Sequence, residues 1–123
     1  MIVDDTDDVR EGIRIQLGMV GYGVVEAANG REAVDKVSKD SPDLILMDLS
    51  MPVLGGIEAT RLIRKTVENS EVVIVACTAL PCAESRQQAL AAGCNDYIQK
   101  PLEVEQLSRL LDRFKMSGTP NTE

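Results

Sequence analysis

The stretch Leu44-Ile45-Leu46-Met47-Asp48-Leu49-Ser50-Met51-Pro52 decides how this chain is read. An apolar run of Leu, Ile and Met, bounded by Pro42-Asp43 and Met51-Pro52, predicts a strand buried on both faces. It ends at a single carboxylate, Asp48, placed where the strand emerges. In open parallel sheets that carboxyl edge is where ligands bind. Asp48 is therefore the first candidate for a chemical role, as a nucleophile that accepts a phosphoryl group.

Outward from that strand, helix and strand signals alternate. Met1-Ile2-Val3 reads as a short first strand ending at Asp4-Asp5; either its start lies upstream or the strand is clipped. Thr6, Asp7 and Asp8 supply a hydroxyl cap and acids for a helix start. Val9, Ile13, Leu17 and Val20 give that helix one buried face, and Gly18 and Gly21 end it. Val24 to Ala27 is a second strand, Asn29-Gly30 a turn, and Ala33, Val34 and Val37 mark a short amphipathic helix.

Beyond the Asp48 strand, Gly55-Gly56 forms a hinge or helix entrance. Ile57, Thr60 and Ile63 share one face of the next helix, with Glu58, Arg61, Arg64 and Lys65 on the wet side. The β-branched run Val72 to Cys77 predicts a central strand ending at Thr78. An Ala-rich helix covers Ser85 to Ala92, with Gly93 as a left-handed stop. Asp96 to Gln99 is an edge strand ending at Lys100-Pro101, and Leu107, Leu110, Leu111 and Phe114 form the stripe of a last helix. Residues 116–123 read as a frayed tail after a domain spanning 1–115. The alternation predicts an α/β, doubly wound, five-stranded parallel sheet with five helices.

Composition narrows the function. At 123 residues the chain makes one ordinary domain with a core of its own. The net charge of −7 lacks the basic stripe of a nucleic-acid binder and favours cations or a basic partner. No apolar run reaches the ~18 residues of a membrane span, and no secretory pattern opens the chain, so the expectation is cytoplasmic. Cys77, Cys82 and Cys94 are unpaired by spacing, with Cys77 read as core, consistent with a reducing compartment. Histidine is absent, which excludes a Ser-His-Asp triad or a phosphohistidine carrier and argues against zinc.

The strand ends then converge. Asp4 and Asp5, Asp48, Thr78 and Lys100 all fall on one edge of a parallel sheet. Each alone has an ordinary explanation, as a helix cap or a solvated charge. Together they form a phosphoryl-transfer set. Crowded carboxylates ask for a hard cation, and Mg²⁺ takes oxygen ligands such as Asp5, Asp48 and a carbonyl near Ser50, with Asp4 acting through water. Lys100 and Thr78 can hold phosphoryl oxygens while Asp48 attacks.

On Asp4-Asp5, Met47-Asp48-Leu49-Ser50-Met51-Pro52, Gly56, Thr78-Ala79, Tyr97 and Lys100-Pro101, the chain resembles the receiver domains of two-component response regulators, with the flavodoxin-like fold of the chemotaxis regulators. The resemblance implies sheet order 2-1-3-4-5 and Asp48 phosphorylated by a histidine kinase or phosphotransfer protein. It implies Mg²⁺ on Asp5, Asp48 and the Ser50 carbonyl with Asp4 in support, and Lys100 on the phosphoryl group before a cis Lys100-Pro101 bond. Thr78 and Tyr97 would be a switch pair, the hydroxyl moving to the phosphoryl group and the ring turning inward. The output face toward an effector would be the fourth helix, fifth strand and fifth helix. Such a module catalyses only its own phosphotransfer and dephosphorylation and is not otherwise an enzyme. Gly55 departs from the acid or Asn common at that position, and Leu80 cannot align water, which implies a longer-lived phosphoryl group.

Two rivals differ in class. An aspartate-nucleophile phosphohydrolase of the haloacid-dehalogenase kind needs an acid two residues beyond the nucleophile. That position is Ser50 after Asp48, or Thr6 after Asp4, and no cap domain fits the length. A receiver-fold interaction module that takes no phosphate would have lost one of the acids, the Thr or the Lys, and this chain keeps them all.

Overall fold

A computed structural model describes residues 1–19, 21–51, 53–66 and 71–114. Val20, Pro52 and the tail expected over 116–123 lie outside the described residues. The elements are β1 (Ile2–Val3), α1 (Asp7–Met19), β2 (Glu26–Ala27), α2 (Gly30–Asp40), β3 (Leu44–Asp48), α3 (Gly56–Lys65), β4 (Val73–Thr78), α4 (Ala83–Ala92), β5 (Asp96–Gln99) and α5 (Val104–Arg113). All strand pairs are parallel, in the order β2-β1-β3-β4-β5. The flavodoxin-like arrangement expected from the sequence is the one observed.

Strand periodicity divides the core in two. Ile45 and Met47 of β3 and Ile74 and Ala76 of β4 pack with Ala33, Val37, Ala59, Ile63 and Ala89 on one side of the sheet. Leu46 of β3 and Val75 and Cys77 of β4 pack with Ile13, Leu107 and Leu110 on the other. The sheet is thus a middle layer with helices on both faces, which is why its strands read as continuous apolar runs.

The ends of elements carry most differences from expectation. The second strand is shorter than Val24 to Ala27, although the Val25 carbonyl still accepts the Ile2 amide at 2.8 Å. Asn29 is a helix cap as well as a turn residue, its side chain accepting the Glu32 amide at 2.9 Å. The fourth helix starts at Ala83, ahead of the expected Ser85, because Cys82 caps it: its Sγ accepts the Ser85 amide at 3.4 Å. Gly93 stops that helix with φ 119, as read. The α4 residues that reach full burial are only Ala89 and Ala92.

Helix α3 buries Thr60 and Ile63 of its expected face and adds Gly56 and Ala59 to it. Its buried residues are Gly56, Ala59, Thr60 and Ile63, while Ile57 is half-buried. Small residues bring the helix close to the sheet, so they form the contact face although they carry little hydropathy. Arg64, read as wet, is half-buried and reaches two backbone carbonyls and one side-chain amide oxygen. Its guanidinium donates to the Gly93 carbonyl at 2.9 Å, the Val72 carbonyl at 2.6 Å and Asn95 Oδ1 at 2.7 Å.

Gly56 shows how close the approach is. A Cβ there would overlap the carbonyl oxygen of Asp48, which is backbone and has no rotamer to yield. Gly56→Ala is expected to lower unfolding free energy by about 1–3 kcal/mol, read by urea titration. Wild-type stability in that variant would show that the loop yields where the packing says it cannot.

Candidate functional site

Register brings the site together. Val3 lies opposite Met47, so Asp4 and Asp48, the next residues of β1 and β3, leave the sheet side by side. Thr78 pairs with Gln99, and the Lys100 amide donates to the Thr78 carbonyl at 2.8 Å, carrying Lys100 to the same edge. The Lys100-Pro101 peptide is cis, as the resemblance implied.

Asp4 and Asp48 are buried, at 2% and 5% exposure, whereas Asp5 is open to solvent. Carboxylate oxygens of all three lie within 4.8 Å of one another. Lys100 Nζ sits against the buried pair, 2.6 Å from Asp4 Oδ2 and 3.3 Å from Asp48 Oδ1. The other Asp4 oxygen accepts the Thr6 amide at 2.9 Å, and Asp48 Oδ1 accepts the Ser50 amide at 3.3 Å. One ammonium among three carboxylates leaves an excess of negative charge facing an open side. Hard oxygen donors with that imbalance suit a divalent cation.

Burial pushes the Asp48 carboxyl above its usual range; Lys100 opposes this and Asp4 adds to it. Burial alone would lower the Lys100 ammonium, but its bond to Asp4 and the charge of Asp48 hold it above the ordinary lysine value.

Thr78 is buried at 8% exposure, with its Oγ1 accepting the Leu80 amide at 3.2 Å. Its hydroxyl proton remains free to donate elsewhere while the loop is held. Leu80 itself is 84% exposed at the rim, and Val53, on the facing loop, is 80% exposed. Val53 adopts φ 70, a left-handed conformation costly for a β-branched residue. The sequence gives no signal for that strain.

Tyr97 stands on the edge strand β5. Its ring is turned into the protein and joins the core. Its hydroxyl accepts the Cys82 amide at 3.1 Å and bonds the Ser85 hydroxyl, and the Arg86 guanidinium stands 5.9 Å over the ring. Cys77 is core as expected, its thiol pushed up by burial. Arg10, which the sequence reading did not single out, fixes the site from α1: its guanidinium donates to the Asp4 carbonyl at 2.6 Å and to Glu26 at 3.1 Å. Its one-turn spacing from Asp7 is the signal that could have found it.

The raised Asp48 value has a sign that can be tested without metal. Between the unfolded and the raised folded value, the folded state holds more protons than the unfolded one. Stability therefore falls as pH rises through that window and stays lower above it. Asp48→Asn in a chelator-treated buffer is expected to raise the melting midpoint at neutral pH. The gain should shrink as pH falls through the raised value and vanish below the ordinary carboxylate range. A lower midpoint for the variant at neutral pH would contradict this.

Comparison with known proteins agrees with the geometry. Residues 1–112 match the response regulator receiver domain family. Response regulator MprA of Mycolicibacterium vanbaalenii is 36% identical over 121 residues, covering 98% of this chain and 52% of that protein. MprA of Mycobacterium tuberculosis is 37% identical over 107 residues, 87% of this chain and 46% of its own length. The chain thus spans about half the length of these curated relatives. Among solved structures, the chemotaxis protein CheY4 of Vibrio cholerae superposes with a TM-score of 0.87 at 33% identity, covering 91% of this chain and 93% of that one. The receiver domain of a Pseudomonas aeruginosa sensor histidine kinase, which has a magnesium ion coordinated in its active-site cleft, gives 0.84 at 38% identity, covering 91% and 92%. By fold, by strand-end residues and by similarity, the chain belongs to the response regulator receiver domains.

Proposed function

We propose that this receiver domain is the phosphoacceptor of a two-component relay, with Asp48 as the residue modified. The observation that carries the reading is the pair of buried carboxylates, Asp4 and Asp48, clamped by Lys100 beside Asp5. With no histidine of its own, the chain takes its phosphoryl group from a phosphohistidine on a kinase or phosphotransfer partner.

The Asp48 carboxylate oxygen attacks phosphorus in line with the P–N bond. An O–P bond forms, the P–N bond breaks, and the imidazole leaves with the electron pair and takes a proton from solvent. Lys100 is drawn from the carboxylates toward the phosphoryl oxygens, exchanging one anionic partner for another. Thr78 donates its hydroxyl proton to a second oxygen. Asp5, Asp48 and the Ser50 carbonyl, supported by Asp4, would hold Mg²⁺, which supplies charge neutralisation on the equatorial oxygens.

The switch follows from the same contacts. A phosphoryl group adds charge and acceptors beside Thr78, and Thr78 holds the loop leading into α4. Tyr97 links that helix to β5. The α4–β5–α5 face is then the surface read by a downstream effector or output domain. The module acts on its own phosphoryl group and on no other substrate, contacts no nucleic acid directly and works in the cytoplasm. No described helix is long and apolar enough to cross a membrane.

Incubation with acetyl phosphate or phosphoramidate, read by intact mass, is expected to add one phosphoryl group. The adduct should be lost in Asp48→Ala and after chelation of Mg²⁺. No uptake by the folded, Mg²⁺-replete chain would favour the phosphorylation-independent interaction module. Leu80 offers no polar atom to align water, so Leu80→Glu is expected to shorten the life of the adduct by about 10-fold, followed by its mass over time. An unchanged decay would remove Leu80 from the hydrolytic path.

A further inference from the structure

Behind the acidic cluster the protein is incompletely filled. A cleft of about 400 Å³ lies between α1 and the sheet, lined by Asp4, Asp48 and Lys100 and by exposed Gly12 of the helix. Its walls are largely apolar and include Ile2, Val9, Ile13, Leu46, Cys77 and Leu102.

The cause lies in α1. Val9, Gly12, Ile13 and Gln16 follow the spacing that faces a helix toward its sheet, and all of them line the cleft. Of these, Ile13 is the one that is fully buried. Gly12 brings no side chain, and a Cβ placed on it would meet nothing within 4 Å. Gln16 stands where an apolar residue would complete the face. Its Oε1 is buried and has no hydrogen-bond partner. Gly12 is exposed, so the apolar wall beside it stays open to water, and the orphaned acceptor one turn on is an unsatisfied polar atom; each costs stability.

Both costs are removed by one kind of occupant. We propose that this cleft is a binding site for a small ligand with an apolar body and a single N–H or O–H donor, the body filling the space over Gly12 and the donor meeting Gln16 Oε1. The volume lies within the range of small-molecule sites, and a mostly apolar wall with a few placed polar groups is their usual chemistry. A bridging water needs two or more polar partners, and among the α1 residues that line the cleft Gln16 is the only uncharged polar one. Because Asp4, Asp48 and Lys100 also line the cleft, an occupant shares residues with the acidic cluster and is thermodynamically linked to its state.

Indole, with one N–H, and benzothiophene, its near-isostere without a donor, are the probes. Titrated separately into the ¹⁵N-labelled full chain, indole is expected to give saturable amide shifts centred on Val9, Gly12, Ile13 and Gln16. Benzothiophene should bind about fivefold to tenfold more weakly. Gln16→Leu should abolish that difference, and Gly12→Leu, which fills the space, should abolish binding of both. The proposal is overturned by an absence of saturable shifts, by shifts that survive Gly12→Leu, or by water contacts to the Gln16 amide with no response to indole, the mark of a hydrated cavity only. If Gly12→Leu fails to fold, the Gln16→Leu comparison alone decides: equal affinities of the two probes for the wild type overturn the proposal.

Discussion

Two carboxylates removed from water on neighbouring strands are the constraint on which this molecule turns. Asp4 and Asp48 cannot both remain charged at close range in the interior without a counter-charge, and Lys100 supplies it from the far side of the sheet. The three residues are separated by nearly the whole chain and meet because every strand runs the same way in a fixed register. The order β2-β1-β3-β4-β5 is thus also the wiring of the charge cluster. Removing the ammonium would leave buried charge uncompensated, so the site and the stability of the sheet edge are not separate matters.

The supports around this cluster are mostly backbone. The Thr6 and Ser50 amides hold the carboxylates, Arg10 holds the Asp4 carbonyl, and the Leu80 amide holds Thr78. Such supports leave the acceptor oxygens on the open side available, and they keep side chains from competing for that space. The close passage of Gly56 against the Asp48 backbone belongs to the same design, since it fixes the strand end from below.

What the sequence made legible followed from strand-end logic. Asp48, Asp4 and Thr78 each close an apolar run and Lys100 closes the edge strand, so parallel strands force them onto one edge. Cys77 and the stop at Gly93 were legible from local pattern alone. Arg64 was not, because periodicity sees charge on a helix and not the Val72, Gly93 and Asn95 acceptors that the fold brings to it. Thr60 and Ile63 of α3 were legible, but Gly56 and Ala59 beside them were not, because they carry little hydropathy and small size is what close packing selects. The bonds from Tyr97 to Cys82 and Ser85 join an edge strand to a helix start, a pairing that only tertiary structure creates.

The burial pattern of α4 has a consequence for how far a signal can travel. Its fully buried side chains, Ala89 and Ala92, are a methyl group each. Lifting them from the core forfeits roughly 1.5–2 kcal/mol of apolar burial. A single charge-assisted hydrogen bond gained at the strand edge is worth about the same, roughly 1.5–3 kcal/mol. The apolar part of the helix's hold on the core is therefore of the same order as one such bond, beside the bonds of Tyr97 to Cys82 and Ser85. A leucine-rich α4 would have made the same fold sturdier and this helix much harder to lift.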